Sequence, residues 1–190
     1  AEGEDQQASQ RLLDGLTEKI KADMGAYIYG YDEDALVSVV AGLLRDKGLT
    51  LAVAESCTGG YLSKTITDLP GSSAYFWGGA ITYSNEAKNK LIGVNDQTIR
   101  DFGAVSEETA REMAAGIKKT AGSDIAIAIT GIAGPEGGTD TKPVGLVYIA
   151  LFSDEKQKVY KLHFNSHREG NRILAVKSAL DIVRRYLCEK

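Results

Sequence analysis

The chain has 190 residues, 43% hydrophobic and 25% charged, with a formal net charge of −4. That balance fits one globular domain plus a small appendage and excludes a disordered chain; the acidic surplus argues against a nucleic-acid partner. No apolar run approaches the roughly 20 residues of a membrane span, and two cysteines with two scattered histidines exclude a zinc site, so no membrane and no metal are expected. Sparse cysteines and the lack of a secretory signal predict a cytoplasmic protein.

Residues 1–8 are polar and read as disordered. Leu12, Leu13, Leu16 and Ile20 recur at helical spacing, with a stop at Met24-Gly25, and Ala26 to Tyr31 reads as a short strand. This opening stretch, residues 1–33, is too small to bury a core and is taken as a linker or a piece of another domain; residues 34–190 form the main domain. There Leu36, Val39, Val40, Leu43 and Leu44 mark a helix ending at Gly48. Leu49 to Ala54 is a buried strand running into Glu55-Ser56-Cys57-Thr58-Gly59-Gly60, and a helix follows as far as Pro70-Gly71. A strand over Phe76 to Tyr83 precedes a short helix that carries Lys88 and ends at Gly93. Ser106, backed by Glu107 and Glu108, starts a helix to about Ala121. Asp124 to Thr130 is an apolar strand entering the glycine-rich turn Gly131 to Gly138. Val144 to Phe152 and Lys158 to Phe164 form a hairpin, and a helix from Arg168 closes the chain. Buried strands alternating with helices predict an α/β layered fold on a mixed sheet.

Ligands of such folds sit at strand C-terminal ends, and two ends stand out. Ser56 leaves a strand at the mouth of a helix, where backbone N–H groups can hold a forming oxyanion and two glycines let a substrate approach; equally, Ser56 or Thr58 simply caps the helix. The turn after Thr130 can cradle an anion, but it is neither a Walker loop nor G-x-G-x-x-G. A hydroxyl nucleophile needs a proton acceptor, and neither His163 nor His167 is well placed. No G-x-S-x-G elbow occurs. Tyr83 and Lys88 remain, the lysine serving as a base only if burial lowers its pKa and otherwise being a surface residue. Arg168 and Arg172 share one helix face, suited to a phosphate or to surface acids.

Taken together, A-E-S-C-T-G-G (54–60), P-G-S-S-A-Y-F (70–76), T-Y-S-N-E-A-K (82–88), G-A-V-S (103–106), T-G-I-A-G-P-E-G-G (130–138), K-P-V-G (142–145) and R-E-G-N-R (168–172) resemble the CinA C-terminal domain family. The resemblance covers about residues 34–187. It implies a three-layer α/β/α sandwich on a mixed, mostly parallel sheet of five or six strands. It further implies a cofactor-free amidase that converts nicotinamide mononucleotide and water to nicotinate mononucleotide and ammonia. Ser56 matches the family's nucleophile, with Tyr83, Lys88 and Thr130 grouped around it. Cys57, Thr58, Gly59, Gly60, Gly131, Ala133, Gly134 and Arg168 are the expected substrate-binding positions, the phosphate falling to the glycine-rich turn and Arg168. Cys57 is the rival nucleophile. Met24 to Asp34 resembles the connection that precedes the amidase in two-domain CinA proteins, so the chain reads as the C-terminal part of a longer protein with an N-terminal CinA domain. A homo-oligomer is expected. A non-catalytic nucleotide-sensing or protein-interaction module and an amidase for free nicotinamide are the competing readings.

Overall fold

The computed structural model describes residues 5–189. Contacts divide the chain into two compact units, Ala1–Ala35 and Leu36–Lys190.

In the first unit, helix α1 (Gln6–Met24) starts where the Asp5 carboxylate accepts from the Ala8 N–H at 2.7 Å. Gln6 to Ala8 are therefore helical rather than disordered, while residues 1–4 lie outside the described residues. The apolar stripe is present, but it buries nothing: Leu12, Leu16 and Met24 are each more than half exposed. Ala26 to Tyr31 is not a strand. After a 3-10 turn over Gly25–Tyr27 the chain folds back, and the Asp34 carboxylate accepts from the Tyr31 N–H at 2.9 Å. A side chain that closes a local turn competes with sheet pairing, and among the described residues no strand is paired with the segment.

In the second unit the order is α2 (Leu36–Lys47), β1 (Leu51–Glu55), α3 (Tyr61–Thr67), β2 (Phe76–Ile81), α4 (Asn85–Ile92), α5 (Asp96–Phe102), α6 (Glu107–Ala121), β3 (Ile125–Gly131), β4 (Leu146–Phe152), β5 (Gln157–His163) and α7 (Arg168–Glu189). Helix α5 was not expected. Only Ile99 and Phe102 are apolar in it, and its signal is the single cap in which Asn95 accepts from the Gln97 N–H. The sheet has five strands in the order β2-β1-β3-β4-β5; β1 pairs parallel with β2 and β3, and the two remaining pairs are antiparallel. Strand β4 alone opposes the common direction.

Side-chain size separates the two faces of this sheet. Leu51, Val53, Ile125, Ile127 and Ile129 point to one side and meet α2, α3 and α7; Ala52, Ala54, Ala126 and Ala128 point to the other and meet α6. Both faces are buried, giving three layers, and each large aliphatic side chain contributes about 1.5–3 kcal/mol by leaving water. The alanine face lets α6 lie close, and α4 lies close to α6 in turn. A Cβ built on Gly116 of α6 would stand 1.8 Å from the Ile92 carbonyl oxygen at the end of α4. Only glycine fits there, and this contact sets the position of the helix that carries Lys88. No helix among the described residues is long and apolar enough to cross a membrane.

Candidate active site

Strand register brings the site together. Glu55 pairs with Ile81 on one side and with Ile129 on the other, so Ser56 and Thr82, just past β1 and β2, lie level with Thr130 near the end of β3. These are the C-terminal ends of the parallel strands, with β1 lying between β2 and β3 in the sheet. The Ser56 N–H continues the ladder to Ile129 O at 2.9 Å, which fixes its backbone.

Lys88 reaches this level from α4. Ser84 caps that helix by accepting from the Ala87 N–H at 3.0 Å, and Lys88 lies one turn in. Side chains tilt toward a helix N-terminus, so the lysine runs back to the strand tips. Its Nζ donates to Ser56 Oγ at 3.0 Å and to Thr82 O at 2.8 Å, with Tyr83 O at 3.5 Å. The residue is 1% exposed. Burial pushes its pKa down to about 8, because a charged ammonium loses hydration there. A thiolate at Cys57 would oppose that shift, but burial pushes the Cys57 thiol up to about 11, leaving it protonated at neutral pH. As an ammonium Lys88 donates to Ser56 Oγ; once neutral, with its two hydrogens on the carbonyls of Thr82 and Tyr83, it would instead accept from the Ser56 hydroxyl.

The residue missed from sequence is Glu55. It is fully buried, and its carboxylate accepts from the N–H groups of Gly60, Leu62 and Ser63 and from Ser63 Oγ, at 2.7–3.1 Å. A carboxylate with four donors at the positive end of α3 is stable even without water. Its signal was an acid five to eight residues ahead of a helix's first turn. The consequence for the oxyanion donors is direct. Gly60 N–H is taken by Glu55, and Gly59 N–H donates to Ser56 O at 3.0 Å. Among the described residues no hydrogen bond from the Cys57 or Thr58 N–H to another residue occurs, so they are the donors the turn has left.

A cavity of about 280 Å³ surrounds these atoms. Of the expected positions it gathers Ser56, Cys57, Tyr83, Lys88, Thr130, Gly131, Ala133, Gly134 and Arg168; Thr58, Gly59 and Gly60 stand outside its lining. Thr130 is fully buried and spends its hydroxyl proton on Ala104 O at 2.7 Å, holding the loop before α6 against the site. That proton is not free for an oxyanion. Tyr83 is mostly exposed, and its hydroxyl accepts from Arg168 Nη2 at 3.2 Å rather than meeting Ser56. Lysine and serine meet without it. Arg168 Nη1 also donates to Gly134 O at 2.8 Å, and buried Asn171 donates to Ala133 O at 3.0 Å, so α7 holds the glycine-rich turn by its carbonyls.

Fold and site together define an α/β/α sandwich protein with a buried serine–lysine pair at its strand tips. The profile described as the CinA C-terminal domain matches residues 33–187. The chain belongs to that family. A CinA-like protein of Syntrophomonas wolfei is 54% identical over 187 residues, spanning 98% of this chain and 45% of that protein. A CinA-like protein of Kosmotoga olearia is 48% identical with the same coverage. The chain thus spans about half the length of the curated relatives it matches. Among solved structures, a competence-damaged protein (CinA) superfamily protein from Klebsiella pneumoniae superposes with a TM-score of 0.79 at 37% identity, covering 82% of this chain and 97% of that one. The competence/damage inducible protein CihA of Agrobacterium tumefaciens gives 0.77 at 36% identity, covering 82% and 95%.

Proposed function

We propose that the domain is a serine amidohydrolase acting on nicotinamide mononucleotide. One observation carries the reading: a lysine 1% exposed, with its pKa pushed down to about 8, lies 3.0 Å from the hydroxyl of a serine at a strand tip. Neutral Lys88 takes the Ser56 proton as Oγ attacks the carboxamide carbon. The tetrahedral oxyanion is met by the Cys57 N–H, with the Thr58 N–H beside it. As the C–N bond breaks, Lys88 returns the proton and ammonia leaves. Water, deprotonated by the same amine, then hydrolyses the acyl ester to the carboxylate and frees Ser56. Tyr83 and Arg168 form the outer wall over the ribose. Thr130 acts by holding the 104–105 loop.

The test is ammonia release from nicotinamide mononucleotide by the wild-type chain, Ser56→Ala and Cys57→Ala. The reading expects turnover in the wild type, none above background in Ser56→Ala, and retained turnover in Cys57→Ala. Loss confined to the cysteine variant would replace the nucleophile. Binding without ammonia from the wild type would make the domain a nucleotide-sensing module. Turnover of free nicotinamide alone would move the substrate.

A further inference from the structure

The peptide groups that follow Ser56 are linked to one another and to a charge on α7. Ser56 O accepts from the Gly59 N–H at 3.0 Å, which closes a β-turn with Cys57 and Thr58 at its two central positions. Thr58 O, on the peptide that carries the Gly59 N–H, accepts from Arg172 Nη2 at 2.7 Å, the short distance of a charge-assisted bond. The Tyr61 N–H reaches the same oxygen at 3.2 Å. Two peptides therefore stand in series behind the guanidinium. Arg172 donates to the Thr58–Gly59 peptide, that peptide donates to the Ser56–Cys57 peptide, and the N–H at the end of the series belongs to Cys57.

Arg172 brings an uncancelled charge to this series. Among the described residues it forms no ion pair, whereas Arg111, Arg184 and Arg185 do. It lines a cavity of about 750 Å³, its Nε is buried without a partner, and its guanidinium lies 5.9 Å from the centre of the Tyr61 ring. A donor on a carbonyl draws electron density to the oxygen and makes the N–H of the same peptide a stronger donor, by about 10–30% per bond along a chain. A cation is the strongest donor of this kind. The Thr58 N–H belongs to the Cys57–Thr58 peptide, which is outside the series. The charge thus favours one of the two N–H groups the turn has left.

We propose that Arg172 is a positioning residue for the oxyanion: it fixes the Thr58 carbonyl and, through two peptides, strengthens the Cys57 N–H over the Thr58 N–H as the donor to the developing charge. Arg172 does not line the cavity around Ser56, so it acts only through the turn. The proposal rests on the amidohydrolase reading for the use of this donor, not for its polarisation.

Amide hydrogen exchange by NMR and ammonia release from nicotinamide mononucleotide, measured on the full chain, Arg172→Met and Arg172→Lys, test it. Methionine keeps an unbranched stem but has neither charge nor donor; lysine keeps both. Base-catalysed exchange follows N–H acidity, so the Cys57 N–H is expected to exchange about threefold or more slowly in Arg172→Met. The Thr58 N–H should not change, and Arg172→Lys should stay close to the wild type. A turn merely loosened by the loss of a contact would exchange faster at both positions. That result, or an unchanged Cys57 N–H, overturns the proposal. In turnover Arg172→Met should lose about three- to tenfold in kcat with KM kept, and Arg172→Lys should recover most of it. Slowed exchange with kcat untouched would also overturn the positioning role, since the polarised N–H would then serve no step. The expected exchange pattern with no ammonia release from the wild type would sink the amidohydrolase reading alone and leave the polarised N–H standing. Arg172→Gln, neutral and shorter, carries the same comparison if Arg172→Met does not fold.

Discussion

The turns after β1 and β3 leave the sheet at one level and line one cavity, yet they are held in opposite ways. The first is gripped from within by an anion: Glu55 takes three of its N–H groups and the Ser63 hydroxyl. The second is gripped from outside by donors: Asn171 and Arg168 of α7 take the carbonyls of Ala133 and Gly134. A carboxylate buried beside Ser56 restricts which N–H groups of the turn remain as free donors. Donors on a remote helix instead make the second turn depend on how α7 packs. In the proposed reaction the first arrangement sets the serine–lysine centre, and the second shapes the wall around the substrate.

Variants that act on the first turn should therefore cut turnover, and variants on the second should act on binding and stability. The largest effect is expected from Lys88→Met, with ammonia release falling by about a thousandfold or more. The same variant should gain stability. Folding lowers the lysine pKa, so the native state carries a penalty that is full below about 8 and gone above about 10.5. Urea unfolding should show Lys88→Met more stable by about 1–3 kcal/mol at pH 7, with the gain vanishing as pH rises through that window. A variant less stable at pH 7 would contradict a buried, depressed lysine.

Glu55→Gln replaces an acceptor by an amide whose NH₂ opposes backbone N–H groups. It should lower kcat by about 10- to 100-fold and stability by about 2–4 kcal/mol. If only KM moved, the first turn would not be setting the reaction centre. The pH–rate profile comes next. In the proposed mechanism neutral Lys88 is the active form, so kcat/KM should rise about tenfold from pH 7 to a plateau above 8, and a profile flat across that range would remove the lysine as base. Asn171→Ala should cost about 1–3 kcal/mol and raise KM severalfold while leaving kcat nearly unchanged. A large fall in kcat would erase the distinction between the turns.

What could be read from the sequence follows the range of the interaction. Helices α2, α4, α6 and α7 and strands β1 to β5 were legible because apolar spacing, glycine stops and the Ser106 cap are local signals. The segment 26–31 misled for the same reason: its aromatic residues suit a strand, but Asp34 closes a turn before any partner strand arrives. Ser56 and Lys88 were legible as candidates at strand and helix ends. Their meeting was not, because it needs two strands in register, a capped α4 and the close approach that Gly116 permits.

By itself, then, the sequence determined the alternation of strands and helices, the apolar faces, and which short segments carry reactive side chains. Tertiary structure alone decided that Lys88 is buried against Ser56 with its pKa pushed down to about 8. It also decided that Thr130 and Gly60 are already engaged as donors, and that Arg172 faces a cavity without a counter-ion. Burial, register and hydrogen-bond partnership are properties of pairs of residues far apart in the chain, and each residue's chemistry here is set by its distant partner.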